Sequence, residues 1–173
     1  MVMQMAAPSR AGGLDSGRRA WFNRGRVVCT GAAEATVALG PQSRIGDRRT
    51  AELRLEESAH LLREMRRPAS ILLAEVDQAR GDGGVEAAAR GLQTVLRTDD
   101  FVGQWVGDVL ICILPNCRLR DAARIAERCL ERVSLSCGAT ELRMAEHAAD
   151  AVDRATQLMR KSRALGRNRV SAG

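Results

Sequence analysis

The apolar positions of the chain change their spacing from one segment to the next, and this pattern predicts alternating helices and strands. Helical spacing occurs in segments 53–65, 85–96, 122–130 and 151–159. Short continuous or alternating apolar runs, typical of strands, occur in segments 71–76, 101–106, 109–114 and 133–139, with a candidate edge strand at 169–170. Asp47 is a candidate N-cap for the first helix. The expected buried face of that helix includes Leu53, Ala59, Leu62 and Met65.

Gly107 and Asp108 separate two of the strand-like runs, which predicts a β-hairpin. From residue 70 the predicted order is strand, helix, strand, strand, helix, strand, helix. This order is typical of an α/β chain, more strictly an α+β sandwich with ferredoxin-like topology. We therefore expect a central, mostly antiparallel sheet with helices packed on one face.

The length and composition favour one folded domain preceded by an extension. Residues 1–42 are rich in Gly, Ala and Arg and show no sustained period, so we expect a flexible N-terminal extension before a domain at 43–173. The net charge of +6 is nearly all arginine, because Lys161 is the only lysine. Arginine suits phosphates and guanine edges. Nucleic acid is not an expected partner, since no basic stripe with interleaved aromatic residues is present.

The cysteines and the apolar runs indicate the compartment. The five cysteines are odd in number, lie mostly in apolar runs and lack the paired spacing of a zinc site. We expect buried, reduced thiols at these positions, which are Cys29, Cys112, Cys117, Cys129 and Cys137. No apolar run approaches the ~20 residues of a membrane span. The sequence thus predicts a cytoplasmic protein without a membrane anchor.

Five separate motifs, in order along the chain, resemble one known family. Arg97 and Asp100 precede the predicted hairpin, whose turn at 106–110 reads Val-Gly-Asp-Val-Leu. The other pieces are Ile-Gly-Asp-Arg-Arg at 45–49, Ile-Ala-Glu-Arg at 125–128, Leu-Ser-Cys-Gly-Ala at 135–139 and Arg-Ala-Leu-Gly-Arg-Asn-Arg-Val at 163–170. Together they resemble the GGDEF family, the diguanylate cyclases, over residues 44–170. The resemblance implies a nucleotidyl-cyclase palm fold, shortened here after the first strand.

The resemblance implies a catalytic site whose carboxylates hold two Mg²⁺ ions, and this chain departs from it. The first acidic pair is Glu75 and Asp77, with a side chain one methylene longer at the metal position. Asp108 keeps the hairpin metal position, but Val109 replaces the family's glutamate and Val106 its first glycine. We therefore expect a degenerate domain without enzymatic activity, metal or cofactor. Mg²⁺ would matter only if residual GTP binding persists.

Other positions match the family's nucleotide contacts as remnants of that catalytic site. Asp82 matches a contact to the guanine base, although the segment that carries the family's asparagine is missing before it. Gly107 keeps its place in the turn. Arg163 and Arg167 match positions where the family's basic side chains reach phosphates. The alternative for these two arginines is solvation and dipole complementation at a helix end.

The Arg-x-x-Asp pair implies a second site that survives. In the family this pair forms an inhibitory site for the product, cyclic di-GMP, and an arginine from the following helix joins it. Carried over, the site is Arg97, Asp100 and Arg128. The arginine fork can donate to guanine O6 and N7, and the carboxylate can accept from guanine N1 and N2. The alternative is structural, with Arg97 and Asp100 ending a helix and starting a strand. Gln104 departs from an arginine often found there.

Three functions follow from these patterns. The first is an inactive GGDEF-like regulatory or effector protein in bacterial signal transduction that binds cyclic di-GMP. The second is a nucleotide-independent module that binds an unidentified protein partner, and the third is a residual cyclase. A homodimer bridged by cyclic di-GMP remains open. Trp105 is expected to be a semi-buried strand residue, with a role as a partner anchor as the alternative.

Overall fold

The computed structural model describes residues 45–77 and 84–173, which form a five-stranded sheet and four helices. The helices are α1 (Arg48–Met65), α2 (Gly84–Gln93), α3 (Leu119–Leu130) and α4 (Ala148–Ala164). The strands are β1 (Ala69–Val76), β2 (Phe101–Val106), β3 (Val109–Pro115), β4 (Leu135–Glu141) and β5 (Arg169–Ala172). This order confirms the predicted α+β fold. The extension predicted at 1–42 lies outside the described residues.

Strand β1 is the centre of the sheet, whose order is β2-β3-β1-β4-β5. It pairs antiparallel with β3 on one side, where Ala69 lies opposite Pro115, and antiparallel with β4 on the other. Strand β3 continues antiparallel to β2, and β5 adds parallel to β4. The sheet is therefore mostly antiparallel, as expected from the sequence.

Helices cover both faces of the sheet, so the prediction of helices on one face is wrong. Helices α2 and α3 pack with Leu72, Leu110 and Leu135 in one core. Helices α1 and α4 pack with Ile71 and Ile113 in the other. The physical reason lies in β1, whose continuous apolar run points side chains to both faces in alternation and therefore needs cover on both.

Helix α1 begins where the sequence predicts, but the face that it buries differs from the predicted one. The Asp47 carboxylate accepts a hydrogen bond from the Thr50 backbone N–H at 2.8 Å, which confirms the N-cap. Leu53 and Met65, expected inside, are 65% and 51% exposed. The buried face is instead Ala51, Leu55, Ser58, Ala59 and Leu62. Small residues on this face let the helix approach the sheet, a role that counting large apolar residues overlooks.

Helix α4 lies very close to β4 because Gly138 has no side chain. A Cβ at this position would meet the Ala155 carbonyl oxygen at 2.1 Å and the Met159 amide nitrogen at 2.5 Å. The Ser162 hydroxyl also donates to the Cys137 carbonyl oxygen at 2.7 Å. The Ser-x-Gly motif at 136–138 therefore has a packing role at its glycine.

Arg154 links the N-terminal half of α4 to residues in and after β4. Its guanidinium is 20% exposed and forms an ion pair with Glu146. It also donates to the Thr140 hydroxyl and to the Glu141 carbonyl oxygen, each at 2.7 Å. The bond from Arg154 holds the pKa of the Glu146 carboxyl below its ordinary value.

Within the described residues, no helix is long and apolar enough to cross a membrane.

Trp105 and four cysteines lie where the sequence predicts. Trp105 is partly buried against the core beneath α1 and α4, and the Arg48 guanidinium lies 4.8 Å from the centre of its ring. The four described cysteines are buried and unpaired, as expected, at Cys112, Cys117, Cys129 and Cys137. Cys29 lies outside the described residues. Burial raises the pKa of each of the four thiols, which makes them poor nucleophiles.

Candidate functional site

The predicted hairpin is present, with Gly107 and Asp108 between β2 and β3. Val106 lies opposite Val109, and a bulge between Gln104 and Val106 shifts the register. Gly107 has a φ of 55°, a conformation that favours glycine. The Gln104 carboxamide donates to the Gly107 carbonyl oxygen at 2.8 Å. The turn therefore stands without the family's first glycine, because only the position of Gly107 needs a left-handed backbone.

Glu75, at the first metal position implied by the resemblance, is held by an arginine. Its Oε1 lies 2.9 Å from Nη1 of Arg163, which comes from the last turn of α4. Val109 lies opposite Glu75 in the register of β1 and β3. An aliphatic side chain and a guanidinium thus occupy the surroundings in which the family uses a second carboxylate and Mg²⁺.

Asp77, the second residue of the acidic pair, is buried and fastened to the C-terminal turn. Its carboxylate accepts from the Ser134 hydroxyl at 3.3 Å, the Ser136 hydroxyl at 3.4 Å and the Asn168 backbone N–H at 3.3 Å. Arg167 Nη1 lies 3.6 Å from its Oδ1. Arg167 and Asn168 both have positive φ values, 61° and 44°. Asp77 therefore holds an irregular turn in place before β5.

The residues at the family's catalytic positions lie at one end of the sheet. The Val76 backbone N–H donates to the Asp108 carbonyl oxygen at 3.0 Å, which joins the end of β1 to the hairpin turn. Asp82 lies outside the described residues. Within residues 45–77 and 84–173, no three His, Cys, Asp or Glu side chains converge closely enough to hold a metal ion.

Arg97 and Asp100 form a tight turn between the end of α2 and the start of β2. The Asp100 carboxylate accepts from the Arg97 backbone N–H at 2.8 Å through Oδ2, and the Asp100 N–H donates to the Arg97 carbonyl oxygen at 3.1 Å. The structural role foreseen for the pair is therefore present. It uses the backbone of Arg97 and leaves its exposed guanidinium without a hydrogen bond or ion pair to a described residue.

A surface cavity of about 280 Å³ opens beside this turn. Arg97 and Asp100 line it together with four residues that the sequence analysis did not select, namely Gln93, Leu96, Thr98 and Val102. Burial raises the pKa of the Asp100 carboxyl, against the hydrogen bond from Arg97. Helix α2 ends at Gln93, so no helical spacing in the sequence relates Gln93 to Arg97.

Arg128, the third predicted residue, lies exposed in the last turn of α3. Its neighbour Cys129 is buried beneath it, and burial raises the pKa of that thiol to about 11. Arg128 lowers this pKa and Asp100 raises it further, so both charges act on the same thiol. Arg128 does not line the cavity, and it makes no hydrogen bond or ion pair with Arg97 or Asp100.

Asp77→Ala tests the structural use of the acidic pair. We expect it to lower the free energy of unfolding by about 2 kcal/mol, because the buried Ser136 hydroxyl, the partly buried Ser134 hydroxyl and the Asn168 backbone N–H lose their acceptor. Amide exchange in β5 should become faster. Urea denaturation and hydrogen exchange measure both effects.

The matched control is Glu75→Ala, which removes a carboxylate from the more exposed pair with Arg163. It should lower stability by less than about 1 kcal/mol. Equal losses for the two variants would contradict the structural role of Asp77.

Comparison with known proteins agrees with this geometry. Residues 41–134, more than half of the 173 residues, match the family model described as diguanylate cyclase, GGDEF domain. Among proteins with curated descriptions, none matches the chain by sequence.

Similar solved structures include three GGDEF-type proteins. The diguanylate cyclase SiaD of Pseudomonas aeruginosa, solved with its activator SiaC, has a TM-score of 0.69 and 24% identity over 75% of this chain and 59% of that chain. The GGDEF domain of DgcB from Caulobacter crescentus, solved with c-di-GMP, has a TM-score of 0.69 and 18% identity over 75% and 92%. An active GGEEF domain from Vibrio cholerae has a TM-score of 0.67 and 23% identity over 75% and 97%.

The chain spans less than two thirds of the SiaD chain. These structures share the fold of the sheet and its helices, and the family model adds the match in sequence. The chain belongs to the GGDEF domain family of diguanylate cyclases.

Proposed function

We propose that this chain is a catalytically inactive GGDEF domain that binds cyclic di-GMP through Arg97, Asp100 and Arg128 and acts as a regulatory or effector protein. The observation that carries the proposal is the cavity beside the turn before β2, where the Arg97 guanidinium makes no hydrogen bond or ion pair with another described residue. GGDEF domains of similar fold have been solved with c-di-GMP, among them DgcB. The ligand assignment draws on that likeness.

The chemistry of the cavity suits guanine. A free arginine fork can donate two parallel bonds to guanine O6 and N7. Asp100 uses Oδ2 for the Arg97 backbone, and its Oδ1 accepts no hydrogen bond from the described residues. That oxygen can accept from the guanine N1 and N2 donors. The hydrogen bond from the Arg97 backbone therefore holds the Asp100 carboxylate in place and leaves its Oδ1 for the ligand.

The surroundings of Glu75 support the absence of catalysis. A diguanylate cyclase must place two divalent cations and a triphosphate between acidic side chains. Here Glu75 pairs with Arg163, Asp77 pairs with Arg167 and holds the C-terminal turn, and Val109 offers no ligand. A metal ion at these carboxylates would have to compete with both arginines. Losses at groups that act as one unit reduce turnover by orders of magnitude.

Titration with cyclic di-GMP tests ligand binding. By isothermal calorimetry we expect saturable, low-micromolar binding to the wild type and none to Arg97→Ala, which removes the guanidinium but keeps the backbone bond to Asp100. Arg90→Ala is the matched control, since this exposed arginine on α2 does not line the cavity. The absence of heat with folded wild-type protein would contradict the proposal and leave a nucleotide-independent interaction module.

An activity assay tests the inactive site. With GTP and Mg²⁺ or Mn²⁺ at high protein concentration, we expect no cyclic di-GMP, because Val109 can neither bind metal nor accept a proton. Chromatography of the nucleotides measures the outcome, with an active diguanylate cyclase as the positive control. Formation of cyclic di-GMP that Asp108→Ala abolishes would identify a residual cyclase.

A further inference from the structure

Gln93 is a side chain of the cavity that neither the fold nor the Arg-x-x-Asp pair explains. It is the last residue of α2, partly buried, and it lines the same cavity as Arg97 and Asp100. Its carboxamide makes no hydrogen bond with another described residue. A partly buried amide without a hydrogen-bond partner among the described residues has donors and an acceptor available to a ligand.

The volume of the cavity suits part of a cyclic dinucleotide rather than the whole ligand. Its volume of about 280 Å³ is close to the lower limit of ordinary ligand sites, roughly 300–1,000 Å³. A single guanine of the dinucleotide can therefore enter while the rest of the ligand stays at the surface. The base would then meet the walls formed by Gln93 and Asp100 at the same time.

We propose that Gln93 reads the minor-groove edge of the guanine held by Asp100, and so sets the specificity of the site for guanine. This inference rests on the proposed function. The carboxamide oxygen would accept from the exocyclic N2 of guanine, and the carboxamide nitrogen would donate to N3. Adenine offers N3 but has no donor at the N2 position, so it cannot satisfy both groups.

The two contacts are geometrically compatible because they use neighbouring edges of one base. Asp100 accepts from N1 and from one hydrogen of the N2 amino group on the Watson–Crick edge. Gln93 accepts from the other N2 hydrogen on the adjacent edge. The amino group thereby lies between the two side chains, which line one cavity. A base without the N2 amino group cannot donate this hydrogen bond to either side chain.

Comparison of two ligands tests the role of Gln93. The probes are cyclic di-GMP and cyclic di-IMP, whose hypoxanthine bases lack the N2 amino group, and calorimetry gives the dissociation constant of each. For Gln93→Leu, which keeps the bulk of the side chain, we expect roughly tenfold weaker binding of cyclic di-GMP. Binding of cyclic di-IMP should change much less, so the preference for guanine should shrink.

Two controls separate this inference from the proposed function. Thr94→Val alters the neighbouring residue, whose hydroxyl bonds to the Gly91 carbonyl oxygen and does not line the cavity, and should leave both affinities unchanged. If the wild type binds no cyclic di-GMP, the proposed function fails. If the wild type binds and Gln93→Leu keeps the same preference for guanine, only the role of Gln93 fails. Equal weakening for both ligands would also overturn that role, since it would indicate lost packing.

Discussion

The buried carboxylate of Asp77 joins three parts of the chain that are distant in sequence. It follows the central strand β1, accepts from hydroxyls at the start of β4, and holds the turn that leads into β5. An ionised group in such a site needs its donors, because burial without them would be costly. The position of β5 and of Arg167 therefore depends on Asp77. The Asp77 carboxylate thus has a structural role in this fold.

The hairpin separates the two candidate sites of the domain. The catalytic remnants lie at its turn, whereas Arg97 and Asp100 lie before its first strand, β2, which spans Phe101–Val106. At ~3.4 Å per residue, the ends of a strand of 6 residues lie about 17 Å apart. Substitutions at the turn can therefore remove catalysis while the backbone around Asp100 stays intact. Under the proposed function, this spacing allows the ligand site to persist while the turn changes.

The sequence predicted the elements well, and side-chain pairing across the sheet poorly. Periodicity located the helices and the hairpin, and Asp47 marked the start of α1, because caps and periods are local signals. The same approach assigned Leu53 to the core wrongly, since hydrophobicity alone does not show which helix face meets the sheet. The pairing of Glu75 with Arg163 joins residues 88 positions apart and has no local signal. Gln93 became a candidate only when the cavity placed it beside Asp100.

Mapping backbone amide shifts by NMR during titration with cyclic di-GMP is the most direct test that the ligand site survives apart from the catalytic remnants. We expect concentration-dependent shifts at residues 93–103 and around Arg128. We expect none at 75–77, at the turn 107–108 or at 163–168. Shifts centred on Glu75, Asp108 and Arg163 instead would contradict it, since they would show that the former catalytic cleft is the binding site.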